Sequence, residues 1–397
     1  MKFKISDFLI VFTISLLVFG NIGGAYQPIR LYSIFLLPFV FKEIKILYHI
    51  KSVKYLIDFF LLWLLYDLFS LLWTVDTSQG IKEFFCHLSH FNLLLLLFKL
   101  SMYSSNPIKF IYWGWIIFIV TTVPIALFEL IFDVHLPISN FESERNINIG
   151  DGVIIQKFFS SVTFGNYNTY ITVLCMSLVV LYSIFFYTKR RHMQLFILSA
   201  IITYIIFLNA SRGGILVWFV LTIIFLFYYL KKRKISKFKI LISGTIIVFV
   251  VIHYANALFS QIVFRLANES FIEDTGRLEI YLTTWRIFIE NSKGIGLGIG
   301  SIMTWLQNTG LTITIPHNLW LEVLSQYGFI ILFLLIVFMY KNVKSLRASK
   351  LVTNRFIGTA VLYSFLPLSL INSGYLLMPT LWVFFATLLI FSHYNYD

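Results

Sequence analysis

The chain has 397 residues, 59% of them hydrophobic and only 12% charged, with a mean hydropathy of +0.84. A water-soluble domain keeps roughly a quarter of its residues charged, so this composition excludes a soluble globular enzyme. The net charge of +13 is large enough for a nucleic-acid-binding protein, but its distribution follows membrane orientation and argues against that partner.

Apolar runs near the ~20 residues that cross a hydrocarbon core as a helix recur from end to end, unlike the weak alternation of barrel strands. The expected fold class is all-α: a polytopic integral membrane protein of about twelve transmembrane helices with a partly helical extracytoplasmic loop. Met1-Lys2-Phe3-Lys4 precedes the first run, and no small-residue cleavage site closes it. That run therefore reads as the first membrane helix rather than a signal peptide. Spans are expected near 7–22, 31–48, 55–73, 84–100, 107–133, 167–188, 193–209, 214–230, 240–254, 318–340, 355–372 and 376–393. Cys86 and Cys175 both lie inside apolar runs, which leaves neither a disulfide framework nor a zinc knuckle.

With both termini cytoplasmic, 22 of the 31 Lys and Arg fall on the inside, including the cluster from Lys231 to Lys239. Basic residues are retained on the cytoplasmic side, which fixes this orientation. Residues 1–397 then form one membrane domain. Residues 134–166 are a first extracytoplasmic loop, and residues 255–317 a larger one. Within the latter, Asp274-Thr275-Gly276 caps an amphipathic helix from Arg277 to Glu290, and Gly294, Gly296, Gly298 and Gly300 break the chain after it.

Basic residues on the outer face are the informative ones, because the charge rule disfavours them there. Ser211-Arg212-Gly213-Gly214 joins two spans with almost no loop. Its glycines allow a tight reversal, and free N–H groups beside an Arg suit a phosphate; a plain turn with a snorkelling Arg is the competing explanation. Arg277 sits in the first turn of the loop helix, where an acidic residue would be stabilising, so local stability does not account for it. Arg286 has Glu290 four residues on and Glu279 close on the same face, so an ion pair is expected there. Pro316-His317-Asn318 opens the tenth span. A neutral imidazole there is matched to taking a proton from a sugar hydroxyl, although an interfacial His packed beside Trp320 also explains it.

Glu83, His87 and His90 share one helix face at metal-ligand spacing, which helices often produce by chance; no metal site is expected. Asp58, Asp67, Glu129 and Asp133 read as packing or hydrogen-bonding carboxylates rather than an ion-coupling path. The glycine series follows no strand and has the wrong spacing for a dinucleotide site. No Asp-x-Asp pair for a metal and nucleotide sugar is present.

Taken in order, Phe164-Gly165-Asn166-Tyr167-Asn168, Ser211-Arg212-Gly213-Gly214, Gly276-Arg277 running to Gly294–Gly300, and His317-Asn318…Leu321-Glu322…Gly328-Phe329-Ile330 resemble the bacterial O-antigen polymerase and O-antigen ligase family. The resemblance is clearest over residues 160–340. It implies an inverting glycosyltransferase that uses no cofactor and no metal. The donor would be an undecaprenyl-diphosphate-linked oligosaccharide at the outer leaflet of the bacterial inner membrane. Arg212 and Arg277 would hold the diphosphate, His317 would act on the acceptor hydroxyl, and Gly213, Gly214 and Asn318 would support them. The acceptor would be a lipid-linked repeat for a polymerase, the reading placed first because the Phe, Ile, Lys and Asn usage suggests an AT-rich gene. It would be lipid A core for a ligase. Membrane lipids and a chain-length regulator are the other partners implied. A flippase is the rival class; it would show charges facing a central cavity and pseudo-symmetric halves. An envelope-assembly scaffold is a third, which would be indifferent to loss of the Arg and His side chains.

Overall fold

The computed structural model describes residues 3–139, 146–148, 154–156, 158–188, 192–233, 275–311 and 315–394. Helices dominate: α1 (Ile5–Ser15), α2 (Pro28–Phe35), α3 (Leu37–Phe41), α4 (Ile44–His49), α5 (Lys51–Ser70), α6 (Thr77–Tyr103), α7 (Pro107–Phe132), α8 (Tyr167–Tyr187), α9 (His192–Leu208), α10 (Arg212–Arg233), α11 (Thr275–Asn291), α12 (Ser301–Gln307), α13 (Leu319–Ala348), α14 (Val352–Leu368) and α15 (Pro379–His393). The all-helical expectation needs one amendment. A short antiparallel hairpin, β1 (Asn146–Asn148) with β2 (Ile154–Gln156), lies in the 134–166 loop.

Apolar length makes these helices, and polar caps start them. The side chains of Asp76, Asn106, Asn166 and Asn318 accept from main-chain N–H groups in the first turns of α6, α7, α8 and α13, replacing partners that a helix start cannot supply itself. Proline opens α2, α7 and α15, where its missing N–H costs nothing. Asp133, in the left-handed region at φ 55°, stops α7.

Among the described residues five helices, α6, α7, α8, α10 and α13, are long and apolar enough to cross a membrane. Three shorter apolar stretches, Ile5–Phe19, α9 and α15, accompany them. This is a multi-pass membrane protein. The expected second span is not one helix: residues 31–48 are divided among α2, α3 and α4. Pro38 lies at the head of α3, next to the break after Phe35, because a proline removes a main-chain donor and its ring obstructs the preceding turn. The expected span near 240–254 and residues 255–274 of the large loop lie outside the described residues.

At the centre stand α6, α8 and α15. From Thr169 to Phe186 every residue of α8 is buried, and α15 is buried from Pro379 to Phe391. A helix that is apolar on every face belongs in the interior of a bundle. Around this centre α1 packs on α6 and α7, α14 on α8, α10 and α13, and α5 on α6 and α13. Phe60 stacks on Phe91 at 4.0 Å, with Trp382 edge-on to both and Trp63 edge-on to Trp382.

The two ends of the bundle are tied differently. At one end, Asp7 accepts from Ser104 and Ser105, Glu43 accepts from Tyr103 and pairs with Lys99 at 3.4 Å, and Lys232 donates to the Phe186 carbonyl. At the other end, the Asn21 main chain and side chain donate to the carbonyls of Thr163 and Phe164, and Glu129 accepts from the main chain of Ser161 and Val162. All the motifs singled out above gather at this second end.

The glycine series does more than interrupt the chain. Residues 294–300 lie along a break in α13 at Gly328, whose φ is 72°. Leu297 and Gly298 donate to the carbonyls of Ser325 and Gln326, and Phe329 donates to Gly294. The backbones approach so closely that a Cβ on Gly296 would stand 2.4 Å from the Gln326 carbonyl oxygen. Only glycine fits there, both for space and for its φ of 97°.

Candidate active site at one end of the bundle

Four residues between α14 and α15, Ser369-Leu370-Ile371-Asn372, draw the candidate motifs together. Helix α14 ends at Leu368, earlier than the expected span to 372. That frees the following carbonyls to accept from other segments.

Arg277, half-buried on the first turn of α11, donates from Nη1 to the Leu370 carbonyl at 3.2 Å. One turn further along the same helix, Tyr281 donates to the carbonyl of His317 at 2.8 Å. The His317 segment is in turn fixed to the connection: Leu319 N donates to the Ser369 carbonyl at 3.0 Å, and the Trp320 indole donates to the Ser369 hydroxyl at 2.8 Å. Asn318, next to His317, accepts from the N–H groups of Trp320 and Leu321 and so caps α13.

The Arg212 motif arrives from the other side. Gly213 lies against Ile371, where an added Cβ would come within 2.9 Å of its side chain. Gly214 lies against Ile171 of α8, where a Cβ would come within 2.4 Å. Both glycines thus let the start of α10 approach its neighbours; the chain itself reverses before them, at Asn209-Ala210, where Ala210 has φ 48°. Ser211 donates to Asn168, and the next residue, Thr169, donates to Asn372 at 2.8 Å. Arg212, Arg277 and His317 are all half-buried. Three distant stretches of sequence therefore hang on four residues of one connection, within reach of solvent at the end of the bundle.

The connection itself is braced from below. Glu322, buried one turn into α13, accepts from the N–H groups of Tyr375 at 3.0 Å and Leu376 at 3.4 Å. Arg30, also buried, donates to the carbonyls of Gly24 and Leu377 and to His90 at 3.2 Å.

Other sequence candidates go elsewhere. Glu83 accepts from Gln79, His87 is hydrogen-bonded to Asp67 at 2.9 Å, and His90 accepts from Arg30. Among the described residues no His, Cys, Asp and Glu side chains come together as a metal-holding group. The ion pair expected of Arg286 is absent: among the described residues it pairs with neither Glu279 nor Glu290, and its side chain is exposed. Water around an exposed pair leaves little to gain from fixing two long side chains.

Sequence reasoning missed Ser369–Asn372, Tyr281 and Arg30. The signal available was a serine and an asparagine closing an apolar run. Their main-chain role has no side-chain signature.

The family resemblance drawn from the ordered motifs has a counterpart in comparison with known proteins. Residues 196–336 match the family described as O-antigen ligase, a stretch that contains Arg212, Arg277 and His317. The chain is also 24% identical over 362 residues to the teichuronic acid biosynthesis protein TuaE of Bacillus subtilis (strain 168), an alignment covering 85% of this chain and 72% of that relative.

Proposed function

We propose, with the similarity to O-antigen ligases as premise, that this chain is a membrane enzyme of surface-polysaccharide biosynthesis. In detail it would be a glycosyltransferase whose donor is a glycan on undecaprenyl diphosphate. The observation that carries this reading is the convergence of the Arg212, Arg277 and His317 segments on residues 369–372.

In this proposal an acceptor hydroxyl attacks the anomeric carbon of the donor sugar. The bond from that carbon to the diphosphate oxygen breaks, and its electron pair leaves with the diphosphate. Arg212 and Arg277 neutralise the charge growing on that leaving group, and His317 takes the hydroxyl proton. The leaving group is already good, so positioning and fixed positive charge suffice. Displacement from the opposite face inverts the anomeric centre, and no metal is required where guanidiniums supply the charge. We place the site outside the cytoplasm and both termini inside, in the bacterial inner membrane, on the distribution of Lys and Arg.

A repeat-unit polymerase is the reading placed first, in keeping with a relative named for teichuronic acid biosynthesis. Transfer to lipid A core is the second, favoured by the name of the matching family. Purified protein given lipid-diphosphate repeat units should produce a ladder of lipid-linked polymer, whereas a ligase needs core acceptor and yields one adduct series. Arg212→Ala, Arg277→Ala and His317→Ala should each cut transfer by about 100-fold or more while the protein still accumulates in the membrane. Wild-type rates in all three would refute the assigned roles, and a requirement for an ion gradient without glycan growth would point to a flippase.

A further inference from the structure

A polar cavity of about 400 Å³ opens at the same end of the bundle. It lies between the turn after α1, the start of α6 and the connection preceding α15. Gln27, Arg30, Glu83, Thr169 and Asn372 line it and are each more than nine-tenths buried. Lys82 and Ala25 stand exposed at its edge.

The lining suits a hydroxyl-bearing ligand rather than a phosphate. Arg30 is the only buried cation in that lining, and its guanidinium is already engaged with two carbonyls and His90. Glu83 on the same wall adds a carboxyl group that is engaged with Gln79. What remains is a mixture of amide, hydroxyl and carboxylate groups. Sugar hydroxyls satisfy such a mixture because each both donates and accepts. Gln27 donates to Asn21 at 3.2 Å, but its amide oxygen meets no donor among the described residues. A buried acceptor left so is destabilising, which a ligand hydroxyl would relieve. The volume falls within the range of small-ligand sites.

Position links this cavity to the chemistry. Asn372 belongs both to the cavity wall and to the connection that seats Arg277 and the His317 segment. Thr169 bonds Asn372 and follows Asn168, the partner of Ser211.

We infer that this cavity is a saccharide subsite, which on the glycosyltransferase reading above receives a sugar ring of the acceptor. Arg30 shapes it by holding Gly24 to Leu377 and is a positioning residue.

The test uses full-length protein in lipid nanodiscs and, as probe, the free oligosaccharide released by mild acid from the host cell's own lipid-linked repeat units. Calorimetric titration should show binding to the wild type. Ala25→Trp, which narrows the mouth, and Gln27→Leu, which removes amide contacts, should each weaken it about tenfold or more. Affinity for undecaprenyl diphosphate carrying no sugar should change less than about twofold, since the diphosphate grip is assigned elsewhere. No binding to the wild type, an unchanged Kd in both variants, or an equal loss for that sugar-free lipid would overturn the subsite. Ala25 is exposed, so Ala25→Trp decides the matter should Gln27→Leu fail to fold. Transfer by the wild type is scored separately. Saccharide binding without any glycan transfer would sink the enzyme reading and leave the subsite standing, whereas transfer with no saccharide binding would do the reverse.

Discussion

Tyr281 holds the carbonyl of His317, so a phenol one turn from Arg277 sets the position of the imidazole segment relative to the arginine-bearing helix. Tyr281→Phe removes one hydrogen bond worth about 1 kcal/mol and should lower the transfer rate about fivefold. The thermal midpoint in detergent should hardly move; a rate equal to wild type would detach Tyr281 from the site. Glu322 is a harsher case. Glu322→Ala leaves the buried N–H groups of Tyr375 and Leu376 without their acceptor, at about 1–3 kcal/mol each. It should lower both thermal stability and glycan yield, read by unfolding in detergent and by product gels. At this scale Arg212, Arg277 and His317 were conspicuous because a basic side chain where few are expected calls for a reason, while the roles given to them are proposals. Ser369 and Leu370 were not, since they offer carbonyls that every residue possesses.

Apolar length located the segments, yet the partners of irregular stretches were not legible. Nothing in Gly294–Gly300 names its partner; the fit appears only once Gly328 has broken α13 and exposed carbonyls to it. Gly296→Ala would force a side chain against the Gln326 carbonyl in a backbone region costing of order 1–3 kcal/mol for a non-glycine residue. A clear drop in thermal midpoint is expected, with faster proteolysis between α11 and α13. Wild-type stability would show that the loop does not dock on the kink. The division of residues 28–49 into three short helices had a signal in Pro38, but the mean hydropathy of that stretch outweighed it in the reading of a single span.

Across the whole molecule the interior carries a buried hydrogen-bonded pair, Asp67 of α5 with His87 of α6, against the aromatic cluster of Trp63, Phe91 and Tyr327. Removing one member strands the other, so His87→Leu alone should destabilise the bundle more than the double change Asp67→Leu with His87→Leu. Unfolding midpoints of the two single variants and the double variant test that order. Orientation is open to direct measurement as well. Ala25→Cys should react with an impermeant maleimide from outside intact spheroplasts, and Lys350→Cys only after lysis; the reverse pattern would invert the proposed topology. Composition and charge made the membrane class readable. The joining of residues 211, 277 and 317 was beyond sequence, because it depends on which helices neighbour α14.

The break at Gly328 also dictates where foreign sequence will be tolerated. Residues 294–300 act as a stitch of set length: each donor must meet the carbonyl that the interrupted helix has released, in surroundings where water is scarce to substitute for it. Beyond α12 the backbone is released from that seam, and Gly310 faces open space. An epitope spliced between Thr309 and Gly310 should therefore ride as a passive flag, while the same splice at Leu297 would unpick the seam and take the upper half of α13 with it.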